Sequence, residues 1–167
     1  MMLSDVSIRK LLAGGLIEPM PHDWQIQPAS VDLLLGEMAT PTVGTSPWLL
    51  QPGEFRLAST LELVTVPADV VAMVSGKSSL ARAGLTVEQA GWIDPGFSGQ
   101  ITLELFNATR HPIRLEPEQP ICQIAFMRLD QRAARPYGTR GLRSKYQGQT
   151  GPTPARPGNF AQDGRGG

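Results

Sequence analysis

Short apolar segments broken by turn residues recur along this chain. "SVDLLLG" (30–36), "EFRLAS" (54–59), "LELVTV" (61–66), "VVAMVS" (70–75), "QITLELFN" (100–107), "PIRLE" (112–116) and "ICQIAFMRL" (121–129) are punctuated by Pro, Gly, Asn and Asp. Segments of this length, rich in β-branched and long apolar side chains, are strands rather than helices. Several short strands at this spacing predict a mainly β domain, a sandwich or barrel. One segment differs. "SDVSIRKLLA" (4–13) has helical character, with Ser4 as N-cap, Val6, Leu11 and Leu12 as a partial apolar face, and Gly14-Gly15 as the stop.

At 167 residues the chain has room for one domain with a real core. That domain is expected over 1–137. From 138 to 167 Gly, Pro, Gln and basic residues dominate, as in a flexible tail, and the composition of 155–167 is that of disorder. Within the tail, "SKYQGQTGPT" carries Lys145, Tyr146 and Gln149, side chains able to order over a ligand, so 138–154 is expected to close over a site.

Lys+Arg and Asp+Glu balance at 15 each, which gives no global pull toward nucleic acid or an anionic membrane. No apolar run approaches the ~20 residues of a membrane-spanning helix. The stretch "MMLSDVSIRKLLAGG" lacks the apolar centre of a signal peptide, so a cytoplasmic home is expected. Cys122 is the one cysteine, inside "ICQIAF", and reads as a small buried hydrophobe. With His22 and His111 the only histidines, no zinc site is expected.

Two stretches carry chemistry. "GKSSLARAG" (76–84) places Lys77, Ser78 and Ser79 at the start of a short helical turn that ends near Arg82. Free N–H groups at such a start, with hydroxyls and cations beside them, suit a phosphate. Read alone, its plain reading is a capped turn with solvated basic residues. "AGWIDPGFSGQITLELFN" (90–107) holds two carboxylates in unusual company. Alternation puts Ile101, Leu103 and Leu105 on one face, and Thr102, Glu104 and Phe106 on the other. Asp94 precedes Pro95-Gly96, a turn signal. A half-wet strand face and a turn aspartate are the plain readings.

Taken in order, "QPASVDLLLG", "GKSSLAR", "AGWIDPGFSGQITLELFN", "PICQIAF", "RPYG" and "SKYQGQTGPTPAR" closely resemble the dCTP deaminase family of the trimeric dUTPase superfamily, to about Arg156. Gly-Trp before Ile-Asp looks like the bifunctional members, which convert dCTP to dUMP. The resemblance implies a distorted, jelly-roll-like β-barrel, a homotrimer with sites at subunit interfaces, and Mg²⁺ carried by the triphosphate with no protein metal ligands. It implies phosphate binding by Lys77, Ser78, Ser79, Leu80, Ala81 and Arg82. Asp94 matches the deoxyribose-contacting aspartate, and Phe97 the ring beneath the sugar. Thr102, Leu103 and Glu104 match the pyrimidine-reading strand, with Glu104 as catalytic acid and base. Gln123, Tyr137, Lys145 and Gln149 match further nucleotide contacts, and Ser78 with the Ala90 carbonyl matches the groups that orient water.

One departure stands out. "LTVEQAGWID" is one residue shorter than the family's usual "LT-x-H-x-TAGWID"; Glu88 stands at the usual His, and Gln89 is nearest the missing Thr. In the family this loop serves the base site and dTTP feedback, so weak inhibition by dTTP is expected. Three readings follow from the resemblance: a deaminase acting on dCTP and ending at dUMP, a dUTPase alone, or a non-catalytic trimeric nucleotide-binding module.

Overall fold

The computed structural model describes residues 1–39, 48–87 and 91–156. Helix α1 (Asp5–Leu12) opens the chain. Strands β1 (Ile17–Glu18), β2 (Ile26–Gln27), β3 (Ser30–Met38), β4 (Trp48–Leu50), β5 (Phe55–Thr65) and β6 (Val70–Gly76) follow. The short helix α2 (Ser78–Arg82) leads to β7 (Leu85–Val87), β8 (Trp92–Ile93), β9 (Ser98–Asn107), β10 (Ile113–Leu115) and β11 (Pro120–Arg128). Among the described residues, β7-β9-β5-β3-β11-β6-β8 form one sheet in that order, with β1 on β5 and β2 on β3. A second, two-stranded sheet joins β10 to β4.

This sheet is curled. Leu85 and Val87 from one end share a single core cluster with Val70, Ala72 and Val74 from near the other. A Cβ built on Gly76 of β6 would stand 3.3 Å from Cβ of Val87 on β7. A flat sheet keeps such strands far apart, so the distorted barrel expected from sequence is the fold. Helix α2 is the connection that brings the two ends together.

Two local expectations change. "EFRLAS" and "LELVTV" are one strand, β5, whose register against β9 shifts between Ser59 and Leu63. An irregularity of this kind bends a strand without ending it. In α1, Ser4 sits at the N-cap but makes no side-chain cap bond, and Ile8 and Leu12 are the buried face. Val6 is 60% exposed, because the helix presents a different arc to the barrel.

A buried polar cluster lies between β3 and β5. Glu62 accepts the Leu34 N–H through both carboxylate oxygens, at 3.2 and 3.0 Å, and Gln25 Nε2 at 3.0 Å. Gln25 Nε2 also donates to the Asp32 carbonyl at 2.9 Å. Burial pushes the Glu62 carboxyl above its ordinary value, and the hydrogen bonds from Leu34 and Gln25 oppose this in part. No described helix is long and apolar enough to cross a membrane.

Candidate active site

Strand β9 builds the floor of the site. Its side chains alternate as expected: Ile101, Leu103 and Leu105 are buried, while Thr102, Glu104 and Phe106 are half-buried on the other face. The turn before it is set by Asp94-Pro95-Gly96-Phe97. The Phe97 N–H donates to the Asp94 carbonyl at 3.1 Å, and Gly96 has φ 92. Proline at the second position and a positive-φ glycine at the third are what such a turn requires. The turn swings Asp94 and Phe97 toward the face that carries Glu104.

The result is a cavity of about 480 Å³ lined by Asp94, Phe97, Thr102, Glu104, Tyr137 and Gln149, among others. Phe97 packs against Tyr137, with centroids 5.9 Å apart and planes tilted by 56°. Residues beyond Tyr137 return along β9. Gly148 N–H donates to the Ser98 carbonyl at 2.8 Å, and the Gln149 carbonyl accepts from Gln100 N–H at 3.0 Å. Gln149 Nε2 donates to the Gln100 carbonyl at 2.8 Å, and Thr153 N–H reaches Thr102 Oγ1 at 3.1 Å. Gly99 makes room for this return, since a Cβ there would stand 2.9 Å from the Gln149 carbonyl oxygen.

Two carboxylates, an amide and several aromatic rings therefore meet in one concave place. An apolar pocket with a few convergent polar groups suits a flat heterocycle with a polar edge. Lys145 lines an adjoining cavity that shares Asp94 and Tyr137. Leu103 lies behind the site with its side chain fully buried in the core, so its main chain is what remains to face a ligand.

The phosphate-like segment is elsewhere. None of residues 77–82 lines either cavity. Lys77 forms an ion pair with Asp32 Oδ2, and Asp32 is 4% exposed. Ser78, Ser79, Ala81 and Arg82 are exposed on α2, and Leu80 packs partly on the core. Gln123 sits on the neighbouring β11, donating from Nε2 to Ser75 Oγ at 3.2 Å. Ala90, and with it Glu88 and Gln89 of the shortened loop, lies outside the described residues, as does 157–167. Among the described residues no group of three His, Cys, Asp or Glu side chains gathers to hold a metal.

Sequence reasoning missed several walls. Trp92, Phe55 and Leu57 line the cavity. Tyr146, named from the sequence with Lys145 and Gln149 as able to order over a ligand, lines both cavities and donates its N–H to the Tyr137 hydroxyl at 2.9 Å. Trp92 offered a signal, being a large aromatic two residues before Asp94. Phe55 and Leu57 offered none, because β5 reaches the site only through its pairing with β9.

The fold and this cavity define a dUTPase-like β-barrel protein. A family model described as dCTP deaminase-like matches residues 41–129. A protein from Methanosphaera stadtmanae called "dCTP deaminase, dUMP-forming" is 42% identical over 178 residues, covering 90% of each chain. One of the same description from Mycolicibacterium paratuberculosis is 45% identical, covering 93% of this chain and 95% of its own. The solved dCTP deaminase of Agrobacterium tumefaciens aligns with a TM-score of 0.64 at 25% identity, over 74% of this chain and 46% of that one. A dUTPase of Staphylococcus aureus phage phi11 aligns at 0.54 with 16% identity, over 67% of this chain and 84% of its own, a likeness of fold. The chain belongs to the dCTP deaminase family.

Proposed function

We propose that the protein deaminates dCTP and carries the product on to dUMP, releasing ammonia and pyrophosphate. The observation that carries this is the meeting of Glu104 and Asp94 in one cavity walled by Phe97 and Tyr137. The relatives described as dUMP-forming, matched over 90% and 95% of their own length, support the same end product.

In this reading the cytosine edge faces Glu104 and the main chain of Thr102 and Leu103, and the sugar stacks on Phe97. Glu104 takes a proton from water as the water oxygen bonds to C4. It then delivers that proton to the amino nitrogen, the C4–N bond breaks and ammonia leaves. The second water proton ends on ring N3, which gives uracil. Asp94 accepts the sugar 3′-hydroxyl and places the water that attacks the α-phosphorus, breaking its bond to the bridging oxygen and freeing pyrophosphate. Magnesium enters as part of the substrate, bound to the triphosphate.

Lys77–Arg82 and Gln123 do not line the cavity of their own chain, whereas Phe55 and Trp92 on its wall are 56% and 60% exposed. A homotrimer resolves both features: α2 of one copy supplies Ser78 and Arg82 to the phosphates and water of the next. Residues 138–154 close over the nucleotide, with Lys145 and Gln149 on it. Ser78 and the Ala90 carbonyl orient the water that attacks C4, and dTTP competes at the same site. The enzyme works in the cytoplasm.

Incubation with dCTP and separately with dUTP, both with Mg²⁺, tests the reading through ammonia and pyrophosphate measured independently. Both products from dCTP are expected. Pyrophosphate from dUTP with no ammonia from dCTP would reduce the protein to a dUTPase.

A further inference from the structure

We propose that Arg143, with Arg135, forms an additional anion-binding wall that holds the two terminal phosphates of the substrate, the part released as pyrophosphate. This rests on the reading of the 480 Å³ cavity as the seat of base and sugar. Beside it opens a second cavity of about 740 Å³, which shares Trp92, Asp94, Tyr137 and Tyr146 with the first. Its further lining includes three cations, Arg135, Arg143 and Lys145, against the one carboxylate of Asp94 among the described residues. A nucleotide with its base at Glu104 and its sugar at Asp94 leads its phosphate chain across that shared wall. Three cations facing one carboxylate suit a polyanion that brings its own divalent cation.

Arg143 is the informative residue. Its backbone sits at φ 55, a region where glycine is at ease and a long side chain is strained. The surrounding turn holds it there. Gly138 N–H donates to Ser144 Oγ at 2.8 Å, and Leu142 N–H to the Thr139 carbonyl at 3.0 Å. Tyr146 N–H is fixed on the Tyr137 hydroxyl at 2.9 Å. With both ends tied, Arg143, Ser144 and Lys145 all line the same cavity. None of the ion pairs among the described residues uses Arg135 or Arg143. Strained non-glycine residues gather at ligand clamps, and a guanidinium fork matches phosphate oxygens in pairs.

Arg143→Gly is the diagnostic change, because glycine accepts φ 55 and preserves the turn while removing the guanidinium. Calorimetric titration of the full-length protein with inorganic pyrophosphate and Mg²⁺ reads the site directly. The KM for dCTP and the inhibition constant of dCMP, which lacks the terminal phosphates, complete the set. Pyrophosphate binding is expected to weaken, and KM to rise, by about tenfold, the scale of one charge-assisted contact. Inhibition by dCMP is expected to stay as in the wild type. Unchanged pyrophosphate affinity, or an equal loss of dCMP inhibition, overturns the inference. A wild-type protein that releases neither ammonia nor pyrophosphate overturns the reading of the first cavity instead.

Discussion

Trp92 donates its indole Nε1–H to Oδ1 of Asp94 across 3.2 Å. The two residues flank Ile93 at the end of β8, so the bond is local and pins the carboxylate by one oxygen. In the proposed reaction the other oxygen serves the sugar or the water that attacks the α-phosphorus. Trp92→Phe keeps a ring on the wall and removes the donor. Pyrophosphate release from dUTP should fall by about three- to tenfold, the scale of a net hydrogen bond worth about 1 kcal/mol. In an Asp94→Asn background the same change should do almost nothing further, since coupled residues are non-additive. Additive losses would mean that Trp92 acts through packing alone.

Glu104→Gln keeps the shape of the side chain and removes proton transfer. Ammonia release from dCTP should fall at least ~100-fold, the lower range for general acid–base catalysis. Nucleotide binding, followed by calorimetry with dCTP, should persist. Ammonia release near the wild-type rate would remove Glu104 from its role.

Gly99→Ala tests the returning tail without deleting it. The new methyl group would meet the Gln149 carbonyl oxygen at 2.9 Å and its nitrogen at 3.1 Å, so the tail must lift from β9. Turnover should drop while the unfolding midpoint moves little, because residues 146–153 contribute few side chains to the core. Truncation after Tyr137 should abolish turnover and leave the barrel's circular dichroism in place. A truncated protein with full activity would show the tail to be dispensable.

Much of this site was legible in the chain, and the reason is geometric. Alternation along 98–107 depends on strand geometry alone, so the placing of Thr102 and Glu104 on the face opposite buried Leu103 follows locally. The turn at Asp94-Pro95-Gly96 is likewise a local event. Glu62 is different. Inside "LELVTV" it reads as another strand residue, yet it is 2% exposed and held by Leu34 and Gln25, far away in the chain. The ion pair of Lys77 with Asp32 is equally invisible in the chain, because it depends on β11 holding β3 and β6 on its two sides. Partners brought together by tertiary packing leave no periodic trace.

The buried Glu62 gives a pH signature. Its folded pKa is raised, so at pH above the unfolded value of 4.5 the folded state binds more protons than the unfolded one. Its contribution to stability is therefore greatest below 4.5 and declines as pH rises toward the folded value. The difference in unfolding midpoint between wild type and Glu62→Gln should shift against the wild type over that window, measured by thermal unfolding from pH 4 upward in steps of about half a unit. A pH-independent difference would mean that Glu62 does not change charge on folding.

The tail's hydrogen bonds to Ser98 and Gln100 have a consequence apart from the reaction. β9 pairs with β5 along one side, but on its other side, among the described residues, β7 covers only Leu105 to Asn107. Gly148 and Gln149 occupy the uncovered start of the strand. Without them, unpaired backbone amides and carbonyls would lie open beside apolar side chains, a template on which another molecule's strand can add. The segment proposed to close the site is thus also the stopper on a self-adhesive edge, and its loss would be expressed as concentration-dependent clumping of an otherwise folded barrel.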